Sequence, residues 1–244
     1  MSKAVLIFDL DDTLYLERDF ARSGFVAAGA WLEQEVGACG LAELCQKMFE
    51  DGQRSRIFDD ALETLGLAAE PGLAGLLIEL YRTHEPTIAL APDAQRYLAS
   101  RNGSGGLITD GLHRTQCAKV RALGLDDKLE FIVYTDALGP GFGKPHSRAF
   151  ELVEEWATPD LPLVYIADNP KKDFVTPRAR GWGTVQVDRP GRANHFAAPD
   201  AAHEAHARIS SLDDLDACLD RLLWNCRPVR VDRRPHAGAP GFAL

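Results

Sequence analysis

Asp9 and Asp11 stand two apart, directly after an apolar run over residues 4–8, in Phe8-Asp9-Leu10-Asp11-Asp12-Thr13-Leu14. In extended backbone, residues i and i+2 face the same side, so both carboxylates converge where a strand ends. Like charges that close need a cation or a shared proton, and Mg²⁺ suits carboxylates plus a substrate phosphate. Taken alone, the pair reads more readily as an acidic turn capping the next helix. A second segment, Gly106-Leu107-Ile108-Thr109-Asp110-Gly111, ends a short strand in a hydroxyl. Thr109 and the amides after it can bond a phosphate oxygen, or simply cap a helix. Gly143-Lys144-Pro145 offers an ammonium at the start of a predicted helix, a point charge for phosphate or carboxylate, though such a tripeptide is also a common loop. Finally, Val164-Tyr165-Ile166-Ala167-Asp168-Asn169-Pro170-Lys171-Lys172-Asp173 ends another apolar strand in an acid, with a second acid five residues on. Asp168 can reach a metal at the sheet edge. Asp173, placed on the first turn of the next helix, can support it or bond Lys144; an acid near a helix N-terminus also has a purely structural use.

The elements around these residues alternate. The continuous apolar run over 4–8 fits a strand buried on both faces, and further short strands are expected over 106–109, 131–134, 163–167 and 184–187. Helical periodicity separates them over 93–100, 113–123, 147–156 and 171–180, and a last amphipathic helix is expected over 212–224. Alternating strands and helices imply an α/β domain with a parallel sheet, whose strand ends bind ligands. Between the first strand and residue 92 the chain reads as helices only, including 21–36, 57–65 and 73–84, broken by Pro71-Gly72 and Pro86. We therefore expect residues 1–14 and 92–224 to form the core, 15–91 a helical insert, and 225–244 a basic, proline-containing extension. His203 and His206 have helical spacing, but no third ligand lies near them for a metal.

Composition narrows the class. The 244 residues carry a net charge of −9, which disfavours a general binder of nucleic-acid backbone. The basic extension departs from this balance, with Arg227, Arg230, Arg233 and Arg234 against Asp232. No apolar run approaches the ~20 residues that span a bilayer, and Met-Ser-Lys leads straight into a strand without the shape of a signal peptide. A cytoplasmic protein is expected. Five cysteines without a C-x-x-C pair suggest neither a disulfide framework nor a zinc site.

In order, spacing and position at strand ends, the four segments resemble the motifs of the haloacid dehalogenase (HAD) superfamily of phosphohydrolases, over roughly residues 3–188. Asp12 stands where many members have Gly, and Ala167 where Gly is commoner. The resemblance implies a Rossmann-like three-layer core with a helical cap of the C1 type after the first strand. It implies that Asp9 takes the phosphoryl group as an aspartyl-phosphate and that Asp11 serves as general acid, then general base. Thr109, Asp110 and Lys144 would hold the phosphoryl oxygens. Mg²⁺ would be held by Asp9, the Asp11 carbonyl, Asp168 and Asp173. Dehalogenase members lack an acid at the position of Asp11, which disfavours dehalogenation.

Caps in this superfamily close over the site and select substrate. Arg18 at the hinge, with Arg54, Arg56, Arg82 and His84 in the insert, are the candidate selectors; each also suits a solvated helix face. The expected partner is a small phosphorylated metabolite, either a sugar phosphate or a nucleoside monophosphate, with no nucleic-acid polymer and no membrane, acting as a monomer or homodimer. Two rivals stand: a phosphomutase using the same motifs, and a non-catalytic binding module on the same fold.

Overall fold

A computed structural model describes residues 4–101 and 105–225. The basic extension over 226–244 and most of the turn expected at 102–105 lie outside the described residues. Six strands run parallel in one sheet: β1 (Val5–Phe8), β2 (Gly105–Thr109), β3 (Phe131–Tyr134), β4 (Leu163–Ala167), β5 (Gly183–Val187) and β6 (Ala207–Ile209). Their spatial order is β3-β2-β1-β4-β5-β6. Strand order reverses between β1 and β4, so the crevice beyond their carboxyl ends is where this topology leaves room for a ligand. Register aligns the strand ends: Phe8 sits opposite Leu107 on one side and Ile166 on the other. Asp9, Thr109 and Asp168 therefore emerge at nearly one level.

Alternating side chains build the three layers. Leu6, Phe8, Val164, Ile166 and Val185 face one way, against α5 (Pro92–Ser100), α6 (His113–Ala122) and α9 (Leu215–Asn225). Val5, Ile7, Ile108, Tyr165 and Ala167 face the other, against α7 (Arg148–Trp156) and Phe174, which precedes the short α8 (Val175–Ala179). This is an α/β Rossmann-like fold.

Between β1 and β2 run α1 (Glu17–Val36), α2 (Leu41–Glu50), α3 (Ile57–Thr64) and α4 (Leu73–Thr83). They bury a hydrophobic cluster of their own, centred on Phe25, Leu32, Cys45, Phe58 and Leu77. The Phe25 ring lies within 6.1 Å of those of Phe49, Phe58 and Tyr81. Gly24 lets α1 approach α4 this closely, because a Cβ there would run into the Tyr81 ring. Among the described residues, no helix is long and apolar enough to cross a membrane.

Three local expectations change. The helix expected over 171–180 is only Val175–Ala179, since residues 169–173 form a turn in which the Asn169 side chain accepts from the Lys171 amide at 3.0 Å. Asp173 thus precedes the helix, and its carboxylate accepts from the Asn169 amide at 3.1 Å. The last helix begins with a 3-10 turn, Leu212–Asp214. His203 and His206 share no helix: His203 closes a turn on Asp200, and His206 bonds Thr184 just ahead of β6, a strand too short to stand out in the sequence.

Arg189, in the loop after β5, ties the site's scaffold together. Its guanidinium donates to Asp93 Oδ1 at 2.5 Å and to the Thr13 carbonyl at 2.8 Å, with both side chains of the ion pair under a tenth exposed. The other Asp93 oxygen accepts from the Leu212 amide at 2.7 Å. One buried pair therefore joins α5, the start of the last helical segment and the loop that carries Asp9 and Asp11. Removing one partner strands a buried charge, so Asp93→Ala should lower unfolding free energy by about 3–5 kcal/mol. Chemical denaturation measures this; the double variant Asp93→Leu/Arg189→Met should recover part of the loss.

Candidate active site

The acids and the lysine singled out by spacing come together at the carboxyl edge of β1, β2 and β4. Asp9 follows β1, and its amide donates to the Ile166 carbonyl of β4 at 2.8 Å. Its carboxylate accepts from the Lys144 ammonium at 2.7 Å. That ammonium is fully buried and also reaches Asp173 Oδ1 at 2.8 Å and the Tyr165 hydroxyl at 2.9 Å. Two carboxylates and a phenol thus surround one point charge. The Lys144 amine is held well above its ordinary range: burial opposes the charge, but Asp173 and Asp9 outweigh it. Burial raises the Asp9 carboxyl to about 6, Lys144 pulling down and Asp173 pushing up.

Asp168 stands apart from these cations. Burial, then the charges of Asp9, Asp173 and Asp12, push its carboxyl up to about 9. Asp9, Asp168 and Asp173 each place one carboxylate oxygen so that all three lie within 4.8 Å of one another. Three buried hard-oxygen donors, converging with excess negative charge, fit a small divalent cation such as Mg²⁺. No other described group of acids, histidines or cysteines is close enough to hold a metal ion.

The β2 end is differently arranged. The Thr109 hydroxyl accepts from the Gln116 side-chain amide at 2.5 Å. The Asp110 carboxylate is committed to scaffolding, accepting from Thr135 at 2.8 Å, Lys172 at 2.8 Å and the Lys144 amide at 3.1 Å. Burial would raise its carboxyl, but Lys144 and Lys172 hold it at about 2. Any contact between Asp110 and a phosphate would therefore come from its backbone.

Asp11 faces a second cation. Its carboxylate accepts from the Tyr15 hydroxyl, from Lys119 at 2.7 Å and from Gln116 at 3.0 Å. Burial works to raise this carboxyl, yet Lys119 and the hydrogen bonds keep it below the ordinary range. Asp12 has a left-handed backbone, φ +52°, a conformation that favours glycine. Its buried carboxylate accounts for its presence. It accepts from the Glu17 amide at 2.9 Å and the Ala193 amide at 3.2 Å, capping an α1 start that has no side-chain cap of its own. Glu17 is raised to about 7 by burial and the neighbouring Asp11.

Of the expected substrate selectors, Arg54 reaches across to the core, donating to the Ala193 carbonyl at 2.7 Å and the Asn194 side chain at 3.2 Å. Arg18 is exposed and lies against Gly191. His84 is held inside the insert by the Tyr81 carbonyl and Ser23. Arg56, just ahead of α3, pairs with Asp60 of that helix, and Arg82 is exposed near the end of α4. Sequence reasoning gave no role to Tyr15, Gln116, Lys119, Tyr165 or Lys172. Gln116 and Lys119 carried one signal: a spacing of i, i+3 puts both on one face of α6.

The haloacid dehalogenase-like hydrolase family matches residues 3–156. A glyceraldehyde 3-phosphate phosphatase from Methanocaldococcus jannaschii is 26% identical over 198 residues, covering 75% of this chain and 83% of that protein. One of the same name from Pyrococcus abyssi is 28% identical over 158 residues, covering 60% and 65%. Among solved structures, magnesium-bound YfnB from Bacillus subtilis superposes with a TM-score of 0.63 at 20% identity, covering 90% of this chain and all of that one. A 2-haloacid dehalogenase from Pseudomonas syringae gives 0.58 at 23% identity, covering 90% and 99%. At these identities the structures speak for the fold alone. The family match, two relatives named as phosphatases and the acid at position 11 agree: this chain belongs to the haloacid dehalogenase-like hydrolases, as a HAD-type phosphatase.

Proposed function

We propose that the chain hydrolyses a small phosphomonoester with Mg²⁺, through an aspartyl-phosphate on Asp9. The observation that carries this reading is the convergence of Asp9, Thr109, Lys144 and Asp168 at one level of the sheet edge, with Asp11 two residues beyond the nucleophile. Asp9, Asp168 and Asp173, with the Asp11 carbonyl, would hold the metal. A divalent ion there would offset the charge of the transferring phosphoryl group and of the acids themselves.

The chain's own residues account for the rest. The Asp9 carboxylate attacks phosphorus, the ester P–O bond breaks, and Asp11 gives its proton to the departing oxygen. Water then attacks the acyl phosphate, its proton passes to Asp11, and the Asp9 carboxylate and inorganic phosphate are released. Thr109 and Lys144 position the phosphoryl oxygens. This division suits a transfer that depends mainly on positioning and charge neutralisation. The helical insert serves as a cap that excludes water and selects substrate, with Arg54 and Arg18 at its junction with the core. Sugar phosphates and nucleoside monophosphates are the candidate substrates, and the names of the two curated relatives put triose phosphates first in the panel.

Phosphate release from such a panel, with Mg²⁺ or with EDTA, tests the reading. Release should require the metal, vanish in Asp9→Asn, and fall by about 10²–10⁴-fold in Asp11→Asn for alkyl esters. Full activity in EDTA or in Asp9→Asn would overturn it. Retention of the phosphoryl group on a second position of the sugar would indicate a mutase instead.

Metal binding has a signature in stability as well. Mg²⁺ at about 100 times its dissociation constant should stabilise the fold by ~2.7 kcal/mol. Asp168→Asn should abolish this gain while making the metal-free protein more stable, because it removes one of several repelling buried acids. Thermal melting with and without Mg²⁺ measures both effects.

A further inference from the structure

The hydrogen bonds around Asp11 are unequally divided between its two oxygens. Oδ1 accepts from the Tyr15 hydroxyl and from the Lys119 ammonium at 2.7 Å. A carboxylate oxygen has about two acceptor sites, so Oδ1 is filled. Among the described residues, Oδ2 accepts only from Gln116, at 3.0 Å, which leaves its second acceptor site to a reacting group. Lys119 is buried, and its ammonium lies 4.3 Å above the Phe20 ring of α1 and 5.9 Å from the Tyr15 ring. It is held from the insert side as well as by the core helix that carries it. An acceptor-only carboxylate opposite Gln116 sets the direction of that amide, whose second N–H goes to the Thr109 hydroxyl. Thr109 therefore keeps its own hydrogen to donate.

We propose that Lys119 is a positioning residue for phosphoryl transfer: with Tyr15 it occupies Oδ1 of Asp11 and reserves Oδ2 for the proton exchanged with the leaving group and with water. This rests on the general-acid role proposed for Asp11. In the first step the proton leaves Oδ2 for the ester oxygen as the P–O bond breaks. In the second, a proton of the attacking water returns to Oδ2 as the acyl-phosphate bond breaks. Gln116, one turn before Lys119 on α6, couples the same carboxylate to the phosphate-facing hydroxyl. Proton transfer and phosphoryl binding are thus aligned from a single helix face.

Leaving groups that differ in their need for a proton test the assignment. We would compare the best alkyl phosphate of the panel with 2,4-dinitrophenyl phosphate, whose leaving group departs readily as an anion. Lys119→Met should lower kcat/KM for the alkyl ester by about 10²-fold and for the dinitrophenyl ester by less than about threefold. In the Asp11→Asn background it should add little, because both changes act through one carboxylate. Equal losses on both esters, or losses that multiply in the double variant, would overturn the assignment. If Asp11→Asn itself affects both esters alike, the general-acid reading falls first and takes this one with it. Melting curves check that each protein is folded, and Lys119→Gln replaces Lys119→Met if the latter is not.

Discussion

Asp9, Asp11, Asp110 and Asp173 are held close to one another by lysines that the fold places among them, above all Lys144. Its buried ammonium lies between Asp9 and Asp173 and against Tyr165, at 2.7–2.9 Å from each. A lone buried charge would be prohibitively costly, and so would two facing carboxylates. Together they are tolerable, and the lysine's reach from the loop after β3 keeps the sheet edge from repelling itself apart. Asp168 is left outside this arrangement, with its carboxyl driven up to about 9. The remaining negative charge is what a divalent ion would compensate, so the same constraint accounts for the packing of the site and for its fit to a divalent cation.

A second cation repeats the device one turn of chain away. Lys119 pairs with Asp11 as Lys144 pairs with Asp9. The two carboxylates that sequence places two residues apart are thereby given different environments: Asp9 is raised to about 6, and Asp11 is held below its usual range. That metal-free order is the reverse of what a nucleophile and a general acid need, and a divalent ion beside Asp9 would lower its carboxyl and hold it ionised. Backbone strain at Asp12 is accepted for a related reason, since its carboxylate joins the loop after β1 to α1 and to the Ala193 loop.

The parallel strands were legible because strands covered on both faces must be apolar throughout, and each of the catalytic candidates ends or follows such a run. The helices between β1 and β2 were legible from their 3.6-residue periodicity. What escaped were partners contributed by side chains inside otherwise ordinary elements. Tyr165 sits mid-strand, where its ring looks like simple core, yet its hydroxyl meets Lys144. Lys119 reads as a charged helix residue destined for solvent, but the insert covers it. Asp173, expected on a helix to support a metal or to bond Lys144, reaches Lys144 from a turn, because the Asn169 turn competes locally with helical hydrogen bonding. Asp110 shows the opposite case, a motif residue whose side chain is taken up by Thr135 and Lys172.

The proposed transfer of the phosphoryl group to Asp9 can be followed in a single turnover with ³²P-labelled substrate, acid quench and peptide mapping. The label should be hydroxylamine-labile, confined to the peptide containing Asp9 and absent from Asp9→Asn. Turnover with no protein-bound label under conditions that trap acyl phosphates, or label on another residue, would contradict it.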